Sequence, residues 1–150
     1  MNQSIWGSHL WFFLHTTTFN YPINPTEDDK KNMYNFFMSL KPVLPCMYCR
    51  KNYDRNLKEY PIRLNSRKDL ICWLIDIHNE VNGKEGKRQY SYEEVINIYK
   101  KRLNKDIILD DNNKNINFTC DVHCKNTINN MIYITILIIL IYLIYYVYKK

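Results

Sequence analysis

Strand-like alternation is almost absent from this 150-residue chain, glycine is reduced to three residues, and no internal repeat is visible. The first absence excludes a fold of alternating strands and helices; the third excludes a solenoid. No secretory signal opens the chain, because MNQSIWGSHLWFFLH lacks a basic leading region and polar residues interrupt its apolar stretch. No strong local concentration of charge stands out either. The formal net charge is +6, and residues 1–104 spread 16 Lys and Arg against 11 Asp and Glu along their whole length. Such a distribution reads as a solvated basic surface, and nucleic acid is not expected as a partner. The excess of Asn, Ile, Lys and Tyr reads as coding bias and carries no mechanism.

Residues 131–148, MIYITILIILIYLIYYVY, contain no charge and are followed by Lys149-Lys150. Eighteen apolar residues sit at the short end of what spans a bilayer. Tyrosines near both ends suit the interface, and the lysines can snorkel. The expectation is a C-terminal transmembrane helix, with the chain tail-anchored in a host or virion membrane and its N-terminal domain cytosolic. That compartment is reducing, so cysteine pairs there tend to be catalytic or metal-binding.

The part before the anchor reads as helices. Thr26, Ser66 and Ser91 each precede an acidic residue three positions on, as N-caps do. Met33, Phe36, Phe37 and Leu40 form one apolar stripe; Leu70, Leu74, Ile77 and Val81 form another. The five prolines are taken as punctuation between segments. The reading is all-α: helices over 5–20, 26–40, 46–59, 66–82 and 91–103, as a four-helix bundle plus a short fifth helix. Residues 1–104 form the domain, 105–130 a flexible polar linker, and 131–148 the transmembrane helix.

Cys46 and Cys49 stand two residues apart directly after Pro45. The predicted helix start at Cys46 offers unpaired N–H groups and a favourable dipole to a thiolate, and Arg50 and Lys51 add positive charge. A Cys-x-x-Cys turn closes a small ring with little backbone movement, which suits thiol–disulfide exchange. Two other readings stay open, an inert pair and a zinc site completed by Cys120, His123 and Cys124. Seventy residues of mostly helical pattern separate the two halves of that zinc set, against the short spacer of a zinc ribbon. No metal is therefore expected.

Gly7, Trp11 and His15 recur every four residues along one helical stripe, which would let a planar ring approach the backbone and be held by stacking and a hydrogen bond. His78 and Asn82 share a face of a later helix. A basic turn with Lys84, Lys87 and Arg88 follows and could meet phosphates, with Tyr90 available to stack on a base.

The ordered set Gly7-x-x-x-Trp11-x-x-x-His15, Tyr21-Pro22, Pro45-Cys46-x-x-Cys49 and Trp73-Leu74-x-x-x-His78-Asn79-x-Val81-Asn82-x-Lys84 closely resembles the ERV/ALR family of FAD-linked sulfhydryl oxidases, most of all its members encoded by large DNA viruses. The resemblance covers residues 5 to about 100. It implies a helical bundle holding FAD beside the Cys-x-x-Cys. Gly7, Trp11 and His15 would line the flavin, with Tyr21 adding a contact. His78, Asn79 and Asn82 would meet the adenosine and isoalloxazine parts, and Lys84, Lys87 and Tyr90 the phosphate and adenine region. Dithiol proteins would be the substrates and molecular oxygen the acceptor, giving hydrogen peroxide, and the chain would form a homodimer. Cys46 would meet the substrate and Cys49 the flavin. Cys120 and Cys124 would form a shuttle disulfide on the linker, as relatives often carry in a mobile terminal segment.

There are departures. Relatives often hold a structural disulfide with sixteen residues between its cysteines; only Cys72 lies in that region, and it is expected to be a buried free thiol. Ser8 stands where many relatives have a basic residue, and a membrane span is not a general family feature. A reading of another class is a membrane-tethered helical interaction module with structural or zinc-bound cysteines; it would purify without colour.

Overall fold

The computed structural model describes residues 3–104, 106–109, 120, 135–142 and 145–146. They fall into two compact units, Met1–Cys120 and Asp121–Lys150. The first unit contains five helices: α1 (Gln3–Phe19), α2 (Glu27–Val43), α3 (Met47–Glu59), α4 (Arg67–Lys84) and α5 (Tyr92–Leu103). No strand occurs among the described residues. The expected helices are all present, with ends within three residues of the reading from sequence.

Local chemistry sets the starts. Thr26 and Ser91 each accept a hydrogen bond from the backbone N–H three residues on, while Asp29 and Glu94 reach back to the cap backbone. Ser66 caps α4 through the N–H of Asp69. Each cap satisfies donors that the first turn leaves unpaired, and is worth about 1 kcal/mol. Asn104 ends α5 in the left-handed conformation, with its N–H on the Lys100 carbonyl. One expectation fails: Pro42 lies inside α2 and does not end it. A proline in the last turn sacrifices a single helical hydrogen bond, and α2 runs one residue further before Leu44 caps it through the Leu40 carbonyl.

α4 is the axis of the unit. Its Leu70, Trp73, Leu74 and Ile77 join Leu14, Tyr21 and Phe37 in one core, and its Ile71 and Ile75 join Phe19, Val95, Ile96 and Tyr99 in a second. A helix buried on two faces has to be apolar around most of its girth, which explains the unbroken run LICWLI. α1 and α5 pack on α4, and α2 packs on α3. Arg63 and the Tyr92 hydroxyl (2.6 Å) both bind the half-buried Asp76 carboxylate, joining the α3–α4 connection to α5 through α4.

The segment taken for a free linker departs from that expectation. Leu109 is buried in the second core, and Arg67 donates to the Ile108 carbonyl at 2.6 Å. Cys120 is buried and disulfide-bonded to Cys72, with Cα atoms 6.0 Å apart. Cys72 is thus not a free thiol, and Cys120 is not paired with Cys124, which lies outside the described residues. The reason is positional: Leu109 packs into the second core with residues of α4 and α5, and buried Cys120 lies within bonding distance of buried Cys72 on α4.

In the second unit, residues 135–142 and 145–146 are helical and exposed. Among the described residues no helix is long and apolar enough to cross a membrane. The expected span over 131–148 falls partly outside the described residues.

Candidate active site

Cys46 is the N-cap of α3, in extended conformation, and its Sγ accepts the Cys49 N–H at 3.2 Å. The two cysteines form a disulfide with Cα atoms 5.1 Å apart. Both are half-buried. Sulfur therefore takes the place an N-cap oxygen normally holds, and on reduction a Cys46 thiolate would keep that donor and the positive end of α3. Arg50 donates to the Leu44 carbonyl at 2.6 Å, fixing the approach to the helix with its charge next to the pair.

Three cavities run on from Cys49. The first, about 70 Å³, is lined among others by Gly7, Trp11, Cys49, Tyr53, Val81 and Lys84. The second, about 650 Å³, shares Gly7 and Trp11 and adds His78, Asn82, Lys87 and Tyr90. The third, about 160 Å³, shares His78, Asn82 and Tyr90 and adds His15 and Asn79. Their shared lining residues make them neighbours along one strip, walled by α1, α3, α4, α5 and the turn after α4. A larger cavity of about 750 Å³, on the side of Phe13, Tyr21 and Met33, has no cysteine among its lining residues, so size does not mark the reactive place.

The strip is prepared for a long ligand with planar and charged parts. A Cβ at Gly7 would meet only the Gln3 Cγ, at an ordinary 3.5 Å, so the bundle itself does not demand glycine there; the open floor faces the cavity. Trp11 stacks on His78 with centroids 3.9 Å apart and planes 7° from parallel. Buried polar atoms rarely go unpaired, yet Trp6 Nε1, His15 Nδ1 and Asn56 Nδ2 are buried with no partner. Trp6 lines the first cavity and His15 the third. Lys87 and Arg88 pair with Glu85 and Glu94, and Arg88 lies 4.8 Å over the Tyr90 ring. Exposed pairs of this kind are weak and can exchange for a phosphate.

His15 Nε2 and His78 Nδ1 lie 3.0 Å apart, one donating and one accepting. Burial, reinforced by His78, holds His15 down to about 3; burial and then the Lys87 charge hold His78 down to about 4. Both rings are neutral at neutral pH. Burial raises Tyr99, 4.9 Å from His15 between ring centroids, to about 12, so it stays a phenol.

Gly7, Trp11, His15, Cys49, His78, Asn82, Lys87 and Tyr90, all expected at the site, are brought together along the strip. Three residues differ. Tyr21 is buried in the first core with its hydroxyl on the Leu64 carbonyl at 3.1 Å, and lines none of the three cavities, because it lies beyond the far end of α1. Asn79 lines the third cavity, but its amide is committed to the Tyr90 backbone: Nδ2 donates to the carbonyl at 2.8 Å and Oδ1 accepts the N–H at 2.9 Å. It shapes the turn that carries Tyr90. Lys84 lies apart from Lys87 and Tyr90, on the wall near Cys49, since two residues past Asn82 the helix has turned it away. Tyr53 and Asn56 were passed over; their signal was spacing, four and seven residues after Cys49 on one stripe of α3.

Among the described residues no group of three or more His, Cys, Asp or Glu could hold a metal ion. The Erv1/Alr family model matches residues 8–103. A probable FAD-linked sulfhydryl oxidase of Acanthamoeba polyphaga mimivirus is 46% identical over 106 residues, covering 69% of this chain and 74% of the relative. The mitochondrial FAD-linked sulfhydryl oxidase ERV1 of Saccharomyces cerevisiae is 30% identical over 96 residues, covering 64% of this chain; the match spans about half, 49%, of that longer protein. The crystal structure of the FAD-binding domain of yeast Erv1 superposes with a TM-score of 0.61 at 29% identity, covering 68% of this chain and 93% of that one.

Proposed function

The chain belongs to the Erv1/Alr family, and on that premise we propose that it is an FAD-dependent thiol oxidase that forms disulfide bonds in protein substrates. The observation that carries the reading is that the Cys46–Cys49 disulfide borders, through Cys49, the strip that Gly7 and Trp11 open. Its residues suit FAD: an open floor at Gly7, buried unpaired atoms on Trp6 and His15, and exchangeable cations at Lys87 and Arg88.

A substrate thiolate attacks Cys46 Sγ, which is not among the atoms lining the strip. The Cys46–Cys49 bond breaks, a mixed disulfide forms on Cys46, and Cys49 leaves as thiolate. The second substrate thiol then attacks the mixed disulfide, releasing oxidised substrate and a Cys46 thiolate that the Cys49 N–H and the start of α3 stabilise. FAD held along Gly7, Trp11 and His78 would supply the two-electron acceptor that returns the Cys46–Cys49 dithiol to a disulfide, with oxygen reduced to hydrogen peroxide in turn. Lys84 supplies a positive charge to the same wall, and the neutral His15–His78 pair holds a fixed hydrogen bond deeper in the strip.

The full chain should purify yellow, release flavin on denaturation, and consume oxygen with a dithiol. A colourless protein with bound zinc would overturn this reading in favour of an interaction module.

The domain limits, the membrane and the partner copy belong to the same proposal. The charge-free run 131–148 before two lysines supports a membrane anchor, with the first unit, residues 1–120, as the catalytic domain. Exposed Ile5, Phe12 and Phe13 on α1 and Tyr34 on α2 support a homodimer. The likeness to the mimivirus protein supports a virus-encoded origin. Deleting 131–150 should move the protein from the carbonate-resistant membrane fraction to the supernatant; retention in the pellet would remove the anchor.

A further inference from the structure

Asn56 is an anomaly of α3. That helix buries only two side chains, Tyr53 and Asn56, and the amide has no exposure at all. Its Oδ1 accepts the Lys84 Nζ at 2.9 Å, and its Nδ2 has no partner. A leucine would fill the same space without leaving a buried donor unpaired. The amide therefore does not serve packing alone.

What it holds is placed to matter. Lys84 is the cation lining the cavity that Cys49 also lines. Its ammonium is gripped from two sides, by Asn56 and by Glu80 at 2.9 Å, and Glu80 is fixed in turn by the Tyr60 hydroxyl at 3.0 Å. Tyr60 is itself anchored, its carbonyl accepting the Trp73 indole N–H at 2.9 Å. Cys49 and Asn56, seven residues apart, lie on one stripe of α3, so this helix carries both the reactive sulfur and the acceptor that holds the facing charge.

We propose that Asn56 is a positioning residue of the oxidase: it pins the ammonium of Lys84, a residue lining the same cavity as Cys49, so that a fixed cation favours arrival of the electron pair that leaves the dithiol. The inference rests on the oxidase reading and adds a residue to it. The neutral amide is the suitable partner. It orients the cation without adding a second negative charge to the one Glu80 already supplies, whereas a carboxylate at the same position would add it. Glu80, four residues back on α4, takes one of the three ammonium donors, which leaves others free for the amide.

The test uses the full chain with its bound flavin. Asn56→Leu is expected to lower the flavin reduction potential, so that the equilibrium constant for its reduction falls about tenfold, as for loss of one charge-assisted hydrogen bond. Because leucine leaves no unpaired donor, the melting temperature of the flavin-free protein should hold or rise. Lys84→Met should shift the potential in the same direction, and Asn56→Leu added to Lys84→Met should shift it no further. Where Asn56→Leu does not fold, Asn56→Asp keeps the size and the acceptor, adds a second negative charge, and should lower the potential too. A flavin potential unmoved in the folded Asn56 variant overturns the proposal, as does an additive double variant, which would mean that Asn56 acts without Lys84. A colourless parent protein would instead overturn the oxidase reading, and this proposal with it. The two failures are distinct, since one is seen in the parent and the other only in a yellow variant.

Discussion

The two disulfides stand in opposite surroundings. Cys46–Cys49 is half-buried, spans three positions of sequence and replaces a helix cap; Cys72–Cys120 is buried, at 2% and 8% exposure, and spans 48 positions. A ring of four residues removes little freedom from the unfolded chain, so the first bond adds little to stability and is free to open and close. The second closes a loop of 48 positions that includes most of α4 and all of α5, a constraint worth roughly 4 kcal/mol. One pair can be reached by a thiolate and is held by a donor that stabilises its reduced form. The other is shielded by core residues. The same chemical bond serves exchange in one place and fastening in the other, and surroundings decide which.

The largest effect that tests this contrast is on turnover. Cys49→Ser should abolish dithiol-dependent oxygen consumption while bound flavin remains visible in the absorption spectrum; Cys72→Ser should leave turnover within a few-fold of the parent. Equal loss in both would erase the distinction. Stability should respond in reverse. Cys120→Ser should cost up to about 4 kcal/mol in denaturant titration, and Cys46→Ser far less. Linkage of the peptides containing Cys72 and Cys120 in a non-reducing digest is the direct check; linkage of Cys120 to Cys124 would restore the shuttle.

Acid separates the two regions as well. His15 and His78 are held at about 3 and about 4 in the folded protein against 6.5 when free. Below about pH 6.5 the unfolded chain takes up protons that the folded chain refuses, so this contribution to stability is full above pH 6.5 and is lost as the pH falls toward 4. The melting temperature should fall between pH 7 and pH 5. His15→Leu should flatten the slope, and Cys120→Ser should shift the whole curve down without changing it. The smallest effect is at the turn: Asn79→Ala should cost about 1–2 kcal/mol by releasing both Tyr90 backbone bonds, and should weaken flavin retention without altering the Cys72–Cys120 linkage.

Much of the site was legible because its signals are local. The place of Cys46 at a helix start follows from Pro45 and the periodicity behind it, and the Gly7–Trp11–His15 stripe follows from a repeat of four. Tyr21, Asn79 and Lys84 were assigned by motif position, and motif position does not say which way a side chain turns. Asn56 carried no motif. Its weight comes from being wholly buried against a lysine 28 residues away, which only packing reveals.

The sequence by itself determined the helices, their caps and the reactive cysteine pair, since hydrogen bonds three or four residues apart and the period of the apolar stripe are properties of the local chain. Only the tertiary structure decided the partner of Cys72, the residues joined into one strip and the cation set beside Cys49. Those depend on residues 28 to 63 positions apart in sequence, where the energy gained on contact has no trace in the spacing of neighbours.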